Sequence, residues 1–170
     1  MGQDKILEIF LMNPGKSFQL RGISRMTKIP KTSVSYRVAK LIKLKLVRKE
    51  KKEVFPSFKA NSAEESFKFY KRQHALENIH ESGLVRFLED KLAPGCIILF
   101  GSFAKAEYDE KSDIDIFVQA ARQDINLGLY EKRLGHNINL LFEPYLEKMS
   151  PQLMNNIVNG IKLAGFLKVK

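Results

Sequence analysis

The sequence predicts an α/β (α+β) protein made of two parts, and three observations carry that prediction. Excess positive charge is confined to the first third of the chain. Apolar residues there recur at helical spacing and then give way to two short strands around a charged turn. In the second half, two apolar strands stand on either side of Gly101-Ser102, one over Cys96–Phe100 and one opening at Asp113.

The 170 residues fit one medium domain or two small ones, each with a modest core. Apolar residues make up 44% and charged residues 28%, a globular balance that excludes wholesale disorder. The lone cysteine, Cys96, excludes an internal disulfide, and no Cys/His spacing resembles a zinc site. Asp4, Lys5 and Glu8 interrupt the apolar pattern of the first ten residues, unlike a secretory signal. No apolar run approaches the roughly 18–20 residues of a membrane span. The expectation is a cytoplasmic protein without a membrane partner.

The chain holds 29 Lys and Arg against 19 Asp and Glu, a net charge of +10. Residues 1–60 hold 15 against 4, a balance of +11, and the remainder 14 against 15, a balance of −1. Such asymmetry points to a polyanion-binding module joined to a part with different work.

Within the basic part, Ile6, Leu7, Ile9, Phe10 and Leu11 predict a helix that stops at Asn13-Pro14-Gly15. A short helix follows over Leu20 to Met26. A third is expected from Lys31, with Pro30 at its start and the hydroxyls of Thr32 and Ser33 as caps. Val34, Val38, Leu41 and Ile42 mark its apolar face. Leu46–Lys49 and Val54–Phe58 then read as strands around Glu50-Lys51-Lys52-Glu53. This order, with the stretch KIPKTSVSYRVAKL, resembles the winged helix-turn-helix domains of prokaryotic regulators over roughly residues 4–60. Lys45 stands where such domains often have glycine. The resemblance implies binding to double-stranded DNA. Short polar and basic side chains at the start of a recognition helix can reach base edges in the major groove. Lys31, Thr32, Ser33, Ser35, Tyr36 and Arg37 suit that role, and Lys49, Lys51 and Lys52 on the wing suit phosphate contacts.

Ser62 and Glu65 have the spacing of a capping box, and helical rhythm then runs to Leu92. Gly83 divides that run into two helices, and Ala93-Pro94-Gly95 ends it. The aromatic cluster of Phe67, Phe69 and Tyr70 reads as packing between domains or as the interface of a homodimer.

Eleven residues after Ser102 come Asp113-Ile114-Asp115, at the head of a strand reaching Val118. Alternate strand residues share a face, about 6–7 Å apart, so both carboxylates can aim at one cation. The paired stretches FGSFAKAE and SDIDIFV look like the minimal nucleotidyltransferases of the DNA polymerase β superfamily, over about residues 84–170. The resemblance implies a small mixed sheet, a nucleoside triphosphate substrate, and Mg²⁺ or Mn²⁺ held by the catalytic carboxylates Asp113 and Asp115. It also implies nucleotide contacts from Gly101, Ser102 and Lys105. Gly101 lets backbone approach the triphosphate, and Ser102 with the following N–H groups donates to its oxygens.

The family's third carboxylate falls on the next strand, expected over His136–Glu143, and the aligned residue is Asn139, an amide. Glu143, at the same strand parity, and Glu107 are the alternative acids. Lys105-Ala106 replaces the family's common Arg-Gly. The C-terminal residues Leu153, Met154, Ile157, Val158 and Ile161 suggest a last amphipathic helix, and Gly160–Lys170 an apolar tail. The expected domains are a winged helix (1–60), a helical connector (61–92) and a transferase domain (93–170). The resemblance supports NMP transfer to a protein or small-molecule acceptor, with a helical toxin-like protein as a partner. The other reading is a transcriptional regulator whose impaired transferase domain serves nucleotide sensing or assembly.

Overall fold

In the structure, a computed structural model, residues 4–50 and 55–168 are described. Contacts divide the chain into two compact units, Met1–Lys71 and Arg72–Lys170.

The first unit opens with α1 (Lys5–Met12), capped by Asp4, whose carboxylate accepts from Ile6 and Leu7 N–H. Asn13-Pro14-Gly15 ends it as expected. The next element is β1 (Ser17–Gln19), a strand too short to leave an alternating pattern in the sequence. Its Phe18 meets Phe10 of α1 edge to face at 5.6 Å. The second helix, α2 (Leu20–Thr27), ends where Lys28 turns left-handed at φ +58°. Hydroxyls pin that turn: Thr27 Oγ1 donates to Ile23 O and accepts from Ile29 N–H, while Ser24 Oγ donates to Ile29 O.

The third helix, α3 (Lys31–Lys43), starts at the expected residue with Pro30 as its N-cap. No side chain caps it, so Thr32 and Ser33 do not serve as anticipated. Val34, Val38 and Leu41 are buried, but Ile42 is exposed, because it lies about 80° further round the helix than Val34. At its end Lys45 adopts φ +59°; Lys45 N–H donates to Ile42 O and Leu46 N–H to Leu41 O, a Schellman closure with Leu41 and Leu46 both buried.

Strands β2 (Val47–Glu50) and β3 (Ser57–Ala60) are antiparallel, and β1 pairs with the other side of β3, giving the order β1-β3-β2. Strand β3 begins at Ser57, and Phe55, expected within it, is exposed; Val54 lies outside the described residues. Ile6, Phe10, Ile23, Val34, Val38, Leu46 and Phe67 form this unit's core.

The fourth helix, α4 (Glu65–Ser82), begins after a turn in which Glu64 N–H donates to Asn61 O. Lys68 N–H donates to Glu64 O, so Glu64 rather than Ser62 precedes the first turn and the capping box does not form. Phe67 is buried in the first unit's own core, while Phe69 and Tyr70 are exposed and meet edge to face. The unit boundary falls inside α4. As expected, Gly83 (φ +80°) separates α4 from α5 (Leu84–Leu92), and Ser82 Oγ accepts from Leu84 N–H. Leu84, Leu88 and Leu92, each four residues apart, form the buried stripe of α5.

The second unit is built on a mixed sheet. Its strands are β4 (Cys96–Phe100), β5 (Ile114–Val118), β6 (Ile138–Phe142) and β7 (Ile161–Gly165), in the order β6-β5-β4-β7. Pairings of β4 with β5 and β7 are antiparallel, and β5 runs parallel to β6. Cys96 through Leu99 are all buried, which is why the central strand reads as an unbroken apolar run. Between β4 and β5 lies α6 (Gly101–Lys105); α7 (Gly128–Leu134) makes the crossover that parallel strands require.

The C terminus departs from its expected form. A helix, α8 (Pro151–Val158), is capped by Ser150, but Val158 is exposed and Ile161 belongs to β7. What reads as a tail is an edge strand, and Gly160 makes the connection possible. A Cβ at Gly160 would lie 2.6 Å from both Leu99 O and Ile98 Cγ2. Among the described residues, no helix is long and apolar enough to cross a membrane.

Because exposed Lys45 occupies a left-handed position, Lys45→Gly should stabilise the protein by about 0.5–1 kcal/mol. Urea denaturation should give a higher midpoint with an unchanged slope.

Candidate functional site

The site grows from the end of the buried central strand. Phe100 of β4 pairs with Asp115 of β5, and Asp115 in turn pairs with Asn139 of β6. Gly101 follows at φ +69°, and a Cβ added to it would overlap the Asp115 carboxylate. Glycine is therefore required twice there, for backbone conformation and for space. This packing sets the Gly101-Ser102 turn directly against the second carboxylate. Ile114 and Ile116 of β5 are buried while Asp115, and Asp113 just before the strand, are half-buried, the alternation that the motif implies.

The two carboxylates converge. Asn139 Nδ2 donates to Asp113 Oδ2 at 3.3 Å and to Asp115 Oδ1 at 3.2 Å. A second amide, Asn137 Nδ2, donates to Asp113 Oδ1 at 3.1 Å. Asn137 was not singled out from the sequence. Its signal is the same two-residue spacing into β6, Asn137 and Asn139, that Asp113 and Asp115 show at the start of the neighbouring strand.

Neither alternative acid joins the pair. The strand carrying Asn139 ends at Phe142, before Pro144, so the parity that would turn Glu143 inward is lost. Glu143 Oε1 instead accepts from Tyr145 N–H at 3.1 Å. Glu107 is exposed beyond α6, and its N–H donates to Ser102 O. Among the described residues, no three His, Cys, Asp or Glu side chains lie close enough to hold a metal ion together. The donor set is thus two carboxylates with amides beside them. Hard oxygens converging from one strand face suit a divalent cation of the Mg²⁺ type, and Asp113 and Asp115 are the residues that would hold it.

The turn is braced from below. Phe103 of α6 stacks on Tyr108, ring centroids 4.0 Å apart and 8° from parallel. His136, just before β6, meets Phe103 edge-on, and its Nδ1 lies 2.7 Å from the Ser112 carbonyl, so it donates there. Burial pushes the Tyr108 phenol well above its ordinary range, keeping it neutral. Glu131 of α7 accepts from Ile138 N–H and fixes the start of β6. A cavity of about 240 Å³ opens beside Asp113, with Glu110, Lys111, Glu131, His136 and Asn137 on its walls. Lys105 is exposed at the end of α6, and Ala106 takes the left-handed conformation (φ +59°) despite not being glycine, at a cost of about 1–2 kcal/mol.

In the N-terminal unit, Lys31, Thr32, Ser33, Ser35, Tyr36 and Arg37 are all exposed on α3, and Lys49 is exposed on β2. Tyr36 is 76% accessible, unusual for an aromatic with only a core role. Arg37 Nη1 lies 3.6 Å from Asp4 Oδ1. Lys51 and Lys52 lie outside the described residues.

Residues 83–164 match the family model described as polymerase beta, nucleotidyltransferase. The matched stretch runs from the Gly83 break into β7 and includes Gly101, Ser102, Asp113, Asp115 and Asn139. No curated protein matches the chain.

Gly101→Ala should lower stability by about 1–3 kcal/mol, because the methyl meets both a left-handed backbone and the Asp115 carboxylate. Thermal and urea unfolding will measure the loss, and Gly15→Ala, where nothing lies within 4 Å, is the control.

Proposed function

We propose that this chain, a nucleotidyltransferase-type domain at residues 83–164 joined to a basic N-terminal unit, is a DNA-binding nucleotidyltransferase. Its reaction is transfer of NMP from a nucleoside triphosphate to a protein or small-molecule acceptor. The observation that supports this most directly is the convergence of Asp113 and Asp115 on one point beside the Gly101-Ser102 turn. Nucleotidyl transfer asks a protein mainly for positioning and charge neutralisation. Gly101, lacking a side chain, allows the triphosphate to approach the backbone. Ser102 donates to phosphate oxygens, and exposed Lys105 adds a positive charge. Asp113 and Asp115 hold a divalent cation, Mg²⁺ or Mn²⁺, which when bound neutralises the triphosphate. The acceptor's hydroxyl oxygen bonds to the α-phosphorus as the α-phosphorus bond to the bridging oxygen breaks; pyrophosphate leaves, and the hydroxyl proton passes to solvent.

The N-terminal unit follows the order helix, strand, helix, helix, hairpin with a three-stranded antiparallel sheet. We read it as a winged helix-turn-helix, with α3 as the recognition helix. The hydroxyl-pinned turn before α3 and the exposed polar series from Lys31 to Arg37 support that reading.

A second reading rests on Asn139. An amide carries no charge and is not a base near neutral pH, so the domain could bind nucleotide and regulate DNA affinity without transfer.

With α-labelled NTPs, Mg²⁺ or Mn²⁺ and cell extract, label should pass to an acceptor, and Asp113→Ala should abolish it. Label retained by Asp113→Ala and Asp115→Ala refutes the site. NTP-dependent changes in DNA affinity without any transfer favour the second reading. For DNA, Lys49→Ala should weaken binding to all sequences alike and reduce the slope of log affinity against log salt by about 1. Fluorescence anisotropy across a salt series measures that slope; an unchanged slope removes Lys49 from the interface.

A further inference from the structure

Two carboxylates on one strand face repel each other, and the amides of Asn137 and Asn139 offset that repulsion. Asn139 Nδ2 lies 3.3 Å from Asp113 Oδ2 and 3.2 Å from Asp115 Oδ1, and Asn137 Nδ2 lies 3.1 Å from Asp113 Oδ1. One amide nitrogen therefore stands at the point where both carboxylates converge, with its two N–H groups directed at them. A divalent cation would use the same two oxygens, and it is repelled by N–H dipoles that point into its position. The nitrogen and the cation exclude each other.

We infer that Asn139 gates the cation. The terminal torsion of an asparagine is broad and roughly two-fold, so the amide can turn end for end while its stem stays in place. Asn139 is exposed, with room to turn. Turning removes Nδ2 from the carboxylates and presents Oδ1, a hard, uncharged oxygen that divalent cations accept. Asn139 thus acts as a lock in one orientation and as a ligand in the other.

The charge balance follows. Asp113 and Asp115 together carry −2, and Asn139 adds none. Among the described residues no further acid is clustered with them. Triphosphate oxygens offer the negative ligands that the protein does not add, so cation and nucleotide bind as a coupled pair, each raising the affinity of the other. A carboxylate at position 139 would remove the lock and add a charge, freeing the cation from its dependence on nucleotide. This inference rests on Asp113 and Asp115 being the cation pair.

The test uses the full chain and two readouts that require no turnover. Free Mn²⁺ is followed by electron paramagnetic resonance in the absence of nucleotide. The wild type should bind weakly, and Asn139→Asp at least about tenfold more tightly, since affinity at oxygen sites follows ligand charge. A fluorescent, non-hydrolysable ATP analogue is then titrated with and without Mn²⁺. The wild type should gain at least about tenfold from Mn²⁺, and Asn139→Leu, which has no amide oxygen, should lose most of that gain.

Asn139→Asp binding Mn²⁺ no more tightly than wild type overturns the gate. So does Asn139→Leu retaining the full gain. Asp113→Ala separates the two levels of the argument. If it abolishes the Mn²⁺-dependent gain while the Asn139 variants behave as wild type, only the gate falls. If it changes nothing, the cation pair itself is misassigned and the gate falls with it. Circular dichroism establishes that each variant is folded.

Discussion

The antiparallel pairing of β4 with β5, in the register that sets Phe100 opposite Asp115, is the constraint on which the second unit depends. It delivers the Gly101-Ser102 turn from one strand and both carboxylates from its neighbour to the same end of the sheet. A slip of one residue would turn Asp113 and Asp115 into the core and bring Ile114 and Ile116 out. Burial of four consecutive β4 residues and of Ile114, Ile116, Phe117 and Val118 on β5 makes such a slip costly. Each such side chain contributes about 1.5–3 kcal/mol when fully buried. The core thus enforces the geometry of a polar site at its edge, and Gly101 is where the two requirements meet.

The parallel partner β6 adds a feature that distinguishes this site. Its register places Asn139 beside Asp115, and its alternation places Asn137 two residues earlier, near Asp113. Both side chains are neutral donors. They relieve the repulsion between two carboxylates more gently than a lysine or arginine would, leaving the net charge of the pair intact for a cation. Around them, Glu131 ties α7 to the start of β6, and His136 ties the approach to β6 to the Ser112 carbonyl and the Phe103–Tyr108 stack. Position at the site therefore comes from buried aromatics and backbone hydrogen bonds, while its charged side chains stay partly open to solvent.

The N-terminal unit divides its labour differently. Its core cluster runs from Ile6 to Phe67, with Ser57 and Lys71 also buried in the unit, and positive side chains stand exposed on the outer faces of α3 and β2. Among the described residues, Arg37 of α3 lies 3.6 Å from the Asp4 carboxylate and Arg48 of β2 lies 3.2 Å from that of Glu50, and at such exposure these pairs contribute little to stability. The basic surface is thus not spent on holding the fold together.

Much of this was legible from residues alone, because the signals were local. Helical spacing marked α1 and α3, glycine marked the division of α4 from α5, and β4 with the Asp113-Ile114-Asp115 strand followed from apolar runs broken by turn residues. Lys45, read as standing where glycine is common, does adopt the left-handed conformation. What sequence could not decide depended on partners distant along the chain. A three-residue strand such as Ser17–Gln19 has too few positions to show a period and exists because β3 pairs with it. Residues 161–165 resemble a tail until β4 supplies a ladder of hydrogen bonds. Glu143 has the right parity, but a strand that stops at Phe142 turns its carboxylate to Tyr145 N–H instead. The identities of Asp113, Asp115 and Asn139 were determined by sequence. That the amide of Asn139 touches both carboxylates was decided by the parallel register of β5 and β6, which only the crossover through α7 and the closing of the sheet can set.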